Sequence, residues 1–187
     1  MEFLFLIFLI VVASSLVFKK PQSPSKHKKS VKRTVDTITV RAEPAMMKKA
    51  AKGVDSIILM YLPELNKRDV VELKNYLISA VSSGRRCKSI SKSLIKDYEI
   101  AINIASQLSG HAANYILSKY SQHRHERIGG TQYKWLHGHN GRNGCDHGHL
   151  HEKMFEYKNP PIVDAEGTRA NPGELYPCTC LARAIID

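Results

Sequence analysis

Histidine and cysteine are concentrated in the last third of the chain. Seven of the nine histidines fall between His123 and His151, where Cys145 also lies, and two further cysteines stand close to the carboxyl end. Histidine nitrogen and cysteine sulfur are the ligands of structural zinc, and four of them complete such a site. Zinc is therefore the expected cofactor, and four residues form the best ligand set: Cys145, His147, Cys178 and Cys180.

The spacing of this set leaves a second interpretation open. The pairs are C-x-H and C-x-C, which are tighter than the usual C-x2–4-C pairs of zinc sites. In the alternative interpretation, the histidines are exposed polar loop residues and the cysteines are small buried hydrophobic residues.

The His-rich loop and Cys145 also offer two enzymatic interpretations. A His-rich loop that holds Asn140, Asn143 and Asp146 could belong to a metal-dependent nuclease, and Cys145 beside a histidine could be a thiol nucleophile. The chain contains no G-x-S-x-G, no phosphate-binding P-loop and no H-E-x-x-H. We therefore expect a protein that is not an enzyme and has no small-molecule substrate.

The elements that must position these ligands change type at Gly130. Beyond it, apolar and polar residues alternate over 132–136, a segment that holds the only tryptophan, Trp135, and this alternation predicts a strand. Gly, His, Asn and Pro residues then predict loops, and residues 180–186 could form a final strand. The sequence thus predicts a small β- and loop-rich region over 131–187.

Residues 44–130 are predicted to be helical. Glu43-Pro44 opens a helical run that ends before Pro63, and Asn66 is a good N-cap for the next helix. A third helix is predicted from about Ser89 to Arg127, with a break near residues 96–97 left open. Apolar residues at three- and four-residue spacing along it form a core face: Ile100, Ile104, Leu108, Ala112, Tyr115 and Ile116.

The amino-terminal residues differ in composition from the rest. Residues 3–18 are apolar and uncharged, which favours an uncleaved transmembrane helix, with a cleaved signal peptide or a buried helix as alternatives. A basic, flexible linker is predicted over 19–43, and by the positive-inside rule it keeps the bulk of the chain in the cytoplasm. Its cations could contact anionic lipid or DNA: Lys19, Lys20, Lys28, Lys29, Lys32 and Arg33.

Net charge is distributed unevenly along the 187 residues. The formal charge is +11, yet eleven Lys and Arg residues against two acids between Lys19 and Gly53 supply +9 of it. The remainder is nearly neutral, which disfavours a globular domain that grips nucleic acid across its whole face. The length allows one modest domain and excludes a large two-domain enzyme. The predicted fold class is α+β: an N-terminal transmembrane helix, a helical layer and the β-rich region.

Residues 89–186 resemble the phage Mu F-like head morphogenesis family, the minor capsid proteins of tailed phages. The resemblance begins at Ile104-Ala105-x-Gln107, Ile128-Gly129-Gly130 and Tyr133-Lys134-Trp135. The family pattern then runs through an acid, an Arg, a His, G-x-x-F, a Pro-Gly and a closing C-R-C. The corresponding residues here follow in the same order: Trp135, Asn140, Arg142, His147, Phe155, Pro172, Gly173, Cys178 and Cys180. Asn140, Glu152 and Thr179 depart from the family's acid, Gly and Arg.

The resemblance implies a minor structural protein of the phage head. Such a protein would be located in the virion, would contact portal and major capsid proteins, and would assist procapsid assembly and DNA packaging or delivery. A membrane anchor would add assembly at the host inner membrane. The alternative is a membrane-anchored, metal-dependent nuclease or effector built on a related domain.

Overall fold

The structure is a computed structural model that describes residues 42–138 and 145–185. In these ranges five α-helices precede three short strands and one 3-10 turn. The helices are α1 (Pro44–Ala50), α2 (Val54–Tyr61), α3 (Lys67–Ser82), α4 (Cys87–Asp97) and α5 (Ile102–Arg127). The strands are β1 (Gln132–Leu136), β2 (Met154–Glu156) and β3 (Leu181–Ala184), and the 3-10 turn is Gly148–Leu150.

Two predicted helical runs are each divided in the structure. The first run forms α1 and α2, separated by a turn that ends at Gly53. A Cβ at this position would lie 2.2 Å from the Tyr115 hydroxyl oxygen, so glycine allows the turn to pack against α5. The second run forms α4 and α5, which are separated at residues 98–101. The break includes Glu99, whose φ is 55°, a conformation that a continuous helix does not contain.

The predicted cap of α3 is confirmed. The Asn66 side-chain oxygen accepts hydrogen bonds from the amides of Arg68 and Asp69, at 2.9 and 3.0 Å. These bonds satisfy amide groups that have no partner within the helix.

The helical layer packs around α5, the longest helix of the described residues. The predicted face of α5 contributes Leu108, Ala112 and Ile116, which have no exposed surface. They pack with buried residues from the other four helices, including Leu73 and Ile90. The amphipathic pattern therefore forms a hydrophobic core, as predicted.

The three strands form an antiparallel sheet in the order β2-β1-β3. The predicted strand 132–136 is confirmed as the central strand β1, and the predicted final strand is present as β3. Tyr133 and Trp135 have no exposed surface and form a second core with Leu150 and Tyr157. The alternation of β1 thus directs both aromatic rings to one buried face.

The loop before β3 is attached to α5 by polar contacts. Asn114 donates from Nδ2 to the Cys178 carbonyl at 3.1 Å, and Ser118 donates to the Pro172 carbonyl at 2.5 Å. Lys119 forms an ion pair with Glu174. The helix therefore holds in place the segment that carries two of the predicted ligands.

The predicted fold class is corrected in one respect. Among the helices of the described ranges, none is both long and apolar enough to span a membrane. Only α5 has sufficient length, and its sequence includes Lys119, Arg124, Glu126 and Arg127. The fold shown is α+β, with five helices and a three-stranded sheet, and the transmembrane helix of the predicted fold class is not supported. Residues 3–18, to which that helix was assigned, and the linker cations of 19–33 lie outside the described residues.

Candidate metal centre

Two segments of the β-rich region carry the predicted ligands. Cys145 and His147 precede the 3-10 turn, while Cys178 and Cys180 precede β3. Antiparallel pairing of β1 with β3 sets Leu136 opposite Leu181, so Cys180 lies beside the end of β1. The site therefore depends on strand pairing between segments more than forty residues apart in sequence.

The four ligand atoms form one compact group. They all lie within 4.8 Å of one another, so the cluster could hold a metal ion. The Cys145 and Cys180 sulfurs are 3.4 Å apart, and His147 Nδ1 is 3.5 Å from the Cys178 sulfur and 3.9 Å from the Cys180 sulfur. His147 is 8% exposed, Cys178 and Cys180 are each 2% exposed, and Cys145 is half-buried.

Nitrogen donors surround the sulfurs. The Gly173 amide donates to the Cys178 sulfur at 3.3 Å. The Gly138 amide donates to Cys180 and lowers the pKa of its thiol. The Trp135 indole N–H is buried and has no close hydrogen-bond partner among the described residues. It lies near Cys180 and also lowers the pKa of the Cys180 thiol. Donors of this kind stabilise thiolates, which are the metal-binding form of cysteine.

The cysteines differ in their affinity for protons. A hydrogen bond from Cys178 is the main cause that lowers the pKa of Cys180, to about 4. The same bond, and then burial, raise the pKa of Cys178. Burial is the main cause that raises the pKa of Cys145. Without metal, Cys180 is thus a thiolate, whereas Cys178 and Cys145 retain their protons at neutral pH.

Two features surround the ligands. The Trp135 ring meets the His147 ring edge-on, with centroids 5.5 Å apart, which restricts the orientation of the imidazole. A cavity of about 600 Å³ adjoins the cluster and is lined by three of the ligands, Cys145, His147 and Cys178. Two acidic residues, Asp146 and Asp164, also line it. The ligand group is therefore accessible from this cavity.

The residues predicted from the family pattern fall into two groups. Trp135, Pro172 and Gly173 adjoin the ligands, and Phe155 on β2 packs edge-on against Trp135 with ring centroids 6.1 Å apart. Asn140 and Arg142 lie outside the described residues, as do Asn143 and the six predicted linker cations.

Sequence reasoning did not identify the sulfur-directed donors. A backbone amide carries no sequence signature of its partner. The Pro-Gly pair was a signal for Gly173, whose φ of 80° is readily adopted by glycine. Gly138 had a weaker signal. A Cβ there would lie 2.5 Å from the Thr179 carbonyl oxygen, which explains the glycine only after the fold is known.

No family model, curated protein or solved structure matches the chain. The resemblance to the Mu F-like family therefore stays a prediction.

Proposed function

We propose that the chain is a non-enzymatic assembly protein of a tailed-phage head, and that its β-rich region is stabilised by one structural Zn²⁺. The observation that carries the proposal is the convergence of Cys145, His147, Cys178 and Cys180, whose ligand atoms all lie within 4.8 Å of one another.

The ligand separations are compatible with zinc. With Zn–S near 2.3 Å and Zn–N near 2.05 Å, a tetrahedron has S···S edges of about 3.8 Å and S···N edges of about 3.5 Å. Three of the six separations, at 3.4, 3.5 and 3.9 Å, differ from these edges by about 0.4 Å or less, and none of the six exceeds 4.8 Å. Three sulfurs and one imidazole also form a soft donor set, which favours zinc over magnesium or calcium.

A structural role is favoured over a catalytic one. Four protein ligands complete a tetrahedron, whereas a catalytic zinc keeps one position for water or substrate. In the part of the chain that the structure describes, no second group of His, Cys, Asp and Glu side chains could hold a metal. These two observations disfavour the nuclease alternative.

The β-rich region benefits from such a cross-link. Its core contains eight buried residues among the described ones, two of which are the ligands Cys178 and Cys180. A metal joins the loop at Cys145 to β3 and compensates for the small amount of buried apolar surface.

The phage-head assignment is supported by the residues that carry the family pattern. Trp135, His147, the Pro172-Gly173 pair and the C-x-C pair are distant in sequence but contact one another in the structure. These members of the pattern thus belong to a single structural unit. Portal and major capsid proteins are the proposed partners, and the virion is the proposed location.

The metal is tested by native mass spectrometry and elemental analysis of the full chain, purified under reducing conditions. We expect one zinc per chain, loss of zinc in Cys178→Ser and His147→Ala, and retention in Cys87→Ser, because Cys87 is exposed on α4. A wild-type chain without zinc that unfolds identically with and without chelator would contradict the metal assignment.

The assembly role is tested by co-expression with portal and major capsid proteins. We expect the chain to enter procapsids and co-purify with portal. The competing outcome is DNA cleavage by the full chain with divalent metal that is lost in His147→Ala, together with exclusion from particles. That result would favour the nuclease.

A further inference from the structure

We propose that Cys145 and Cys180 are a modification site at which a hydroperoxide forms a disulfide and displaces the metal. The inference rests on the proposed zinc centre and adds its regulation: the same two segments are cross-linked by metal under reducing conditions and by a disulfide after oxidation.

The positions of the sulfurs favour this pair. Cys145 Sγ and Cys180 Sγ are 3.4 Å apart, so a bond of about 2.05 Å requires an approach of about 1.4 Å. Cys178 Sγ also interacts with both of these sulfurs, but it accepts from the Gly173 amide and lies 3.5 Å from His147 Nδ1. A bond between Cys178 and Cys180 would also close a very small ring, because one residue separates them.

Accessibility indicates which cysteine reacts first. Cys145 is half-buried and lines the 600 Å³ cavity, through which a small oxidant can approach its sulfur. Cys180 is 2% exposed and does not line that cavity, but borders a smaller one of about 270 Å³. Cys145 is therefore the residue that reacts with the peroxide first, and Cys180 is the resolving residue.

The chemistry balances with one hydroperoxide. The Cys145 thiolate attacks an oxygen of the peroxide, the O–O bond breaks, and a sulfenic acid forms as the peroxide is reduced to water or an alcohol. The Cys180 thiolate then attacks the sulfenic sulfur, the S–O bond breaks, and hydroxide leaves and takes a proton from solvent to form water. Two thiolates thus lose two electrons in total, and these electrons reduce the peroxide.

Metal release follows from the loss of two ligands. A disulfide sulfur has no thiolate charge, so only Cys178 and His147 remain as ligands. Structural zinc sites use four protein ligands, and two do not retain the ion against a chelator.

The test treats the zinc-loaded full chain with one equivalent of hydrogen peroxide in the presence of a chromogenic zinc chelator. We expect one zinc released for each disulfide formed. Peptide mapping should show a cross-link between the tryptic peptide that contains Cys145 and the one that contains Cys180, and tandem mass spectrometry should assign the second sulfur to Cys180. A thiol reductant with added zinc should reverse both changes.

Three variants separate the possible outcomes. Cys178→Ser should keep the cross-link, Cys180→Ser should lose it, and the matched control Cys87→Ser should behave as wild type. A bond between Cys178 and Cys180, oxidation of Cys145 without a cross-link, or full retention of zinc would overturn the proposal. Metal-free wild-type chain treated in the same way tests the sulfur pair by itself, so failure of the zinc assignment is distinguishable from failure of the disulfide.

Discussion

Metal binding should release about two protons per chain at pH 7 to 8. Cys145 and Cys178 both have pKa values raised above the ordinary 9.0, so both are protonated in the metal-free chain. Cys180 has a pKa lowered to about 4 and is already a thiolate. Because a metal binds thiolates, it must displace the protons of Cys145 and Cys178, whereas Cys180 has no proton to lose.

The proton count sets the pH dependence of affinity. Raising pH removes the competing protons, so the association constant should rise by about a hundredfold per pH unit below the raised pKa values, or about 2.7 kcal/mol. A Cys180 proton does not compete at pH 7 to 8, because its pKa is about 4. Affinity should therefore weaken steeply on acidification and approach a plateau only in alkaline solution.

Calorimetry measures this count directly. Zinc is titrated into the reduced, metal-free chain in buffers of equal pH and different ionisation enthalpy, and the slope of observed against buffer enthalpy gives the protons released. Chelator competition across pH 7 to 8 provides the slope of affinity independently. Cys87→Ser is the matched control and should release the same number. Release of none, or of three, would refute the assignment of protons to the three cysteines.

Three further perturbations test the helical layer and the β-rich region. Asn66→Ala removes the cap of α3 and should lower the free energy of unfolding by about 1 kcal/mol, measured by urea denaturation, with the exposed Asn75→Ala on the same helix as the control. Gly173→Ala should lower the free energy of unfolding by about 1–2 kcal/mol, because its φ is 80°; an unchanged free energy in urea denaturation would contradict this strain. His111 is buried in the helical layer, and burial lowers its pKa below 6.5, so the unfolded chain binds this proton more tightly. Stability should fall as pH decreases from about 6.5 towards the folded-state pKa, and thermal denaturation of His111→Gln should show a flatter dependence over that window.

Local signals account for the elements whose formation needs only neighbouring residues. Asn66 caps a helix through amides two and three residues away, and alternation along 132–136 is sufficient to predict a strand. The four ligand residues were likewise predicted from composition and spacing, because cysteine and histidine are rare and chemically specific. The transmembrane helix was predicted by length and polarity alone, and the helices that the structure describes do not support it.

Long-range packing determined the rest. The turn at Gly53 exists because Tyr115, more than sixty residues away, occupies the space of a Cβ. The ligands converge because β1 pairs with β3, and the amides that donate to their sulfurs come from Gly138 and Gly173, on two segments distant in sequence. Sequence by itself thus determined which atoms could bind metal and that helices begin at Pro44 and after Asn66. Only the tertiary structure decided that those atoms meet, because the hydrogen bonds and packing that position them join residues that no local pattern relates.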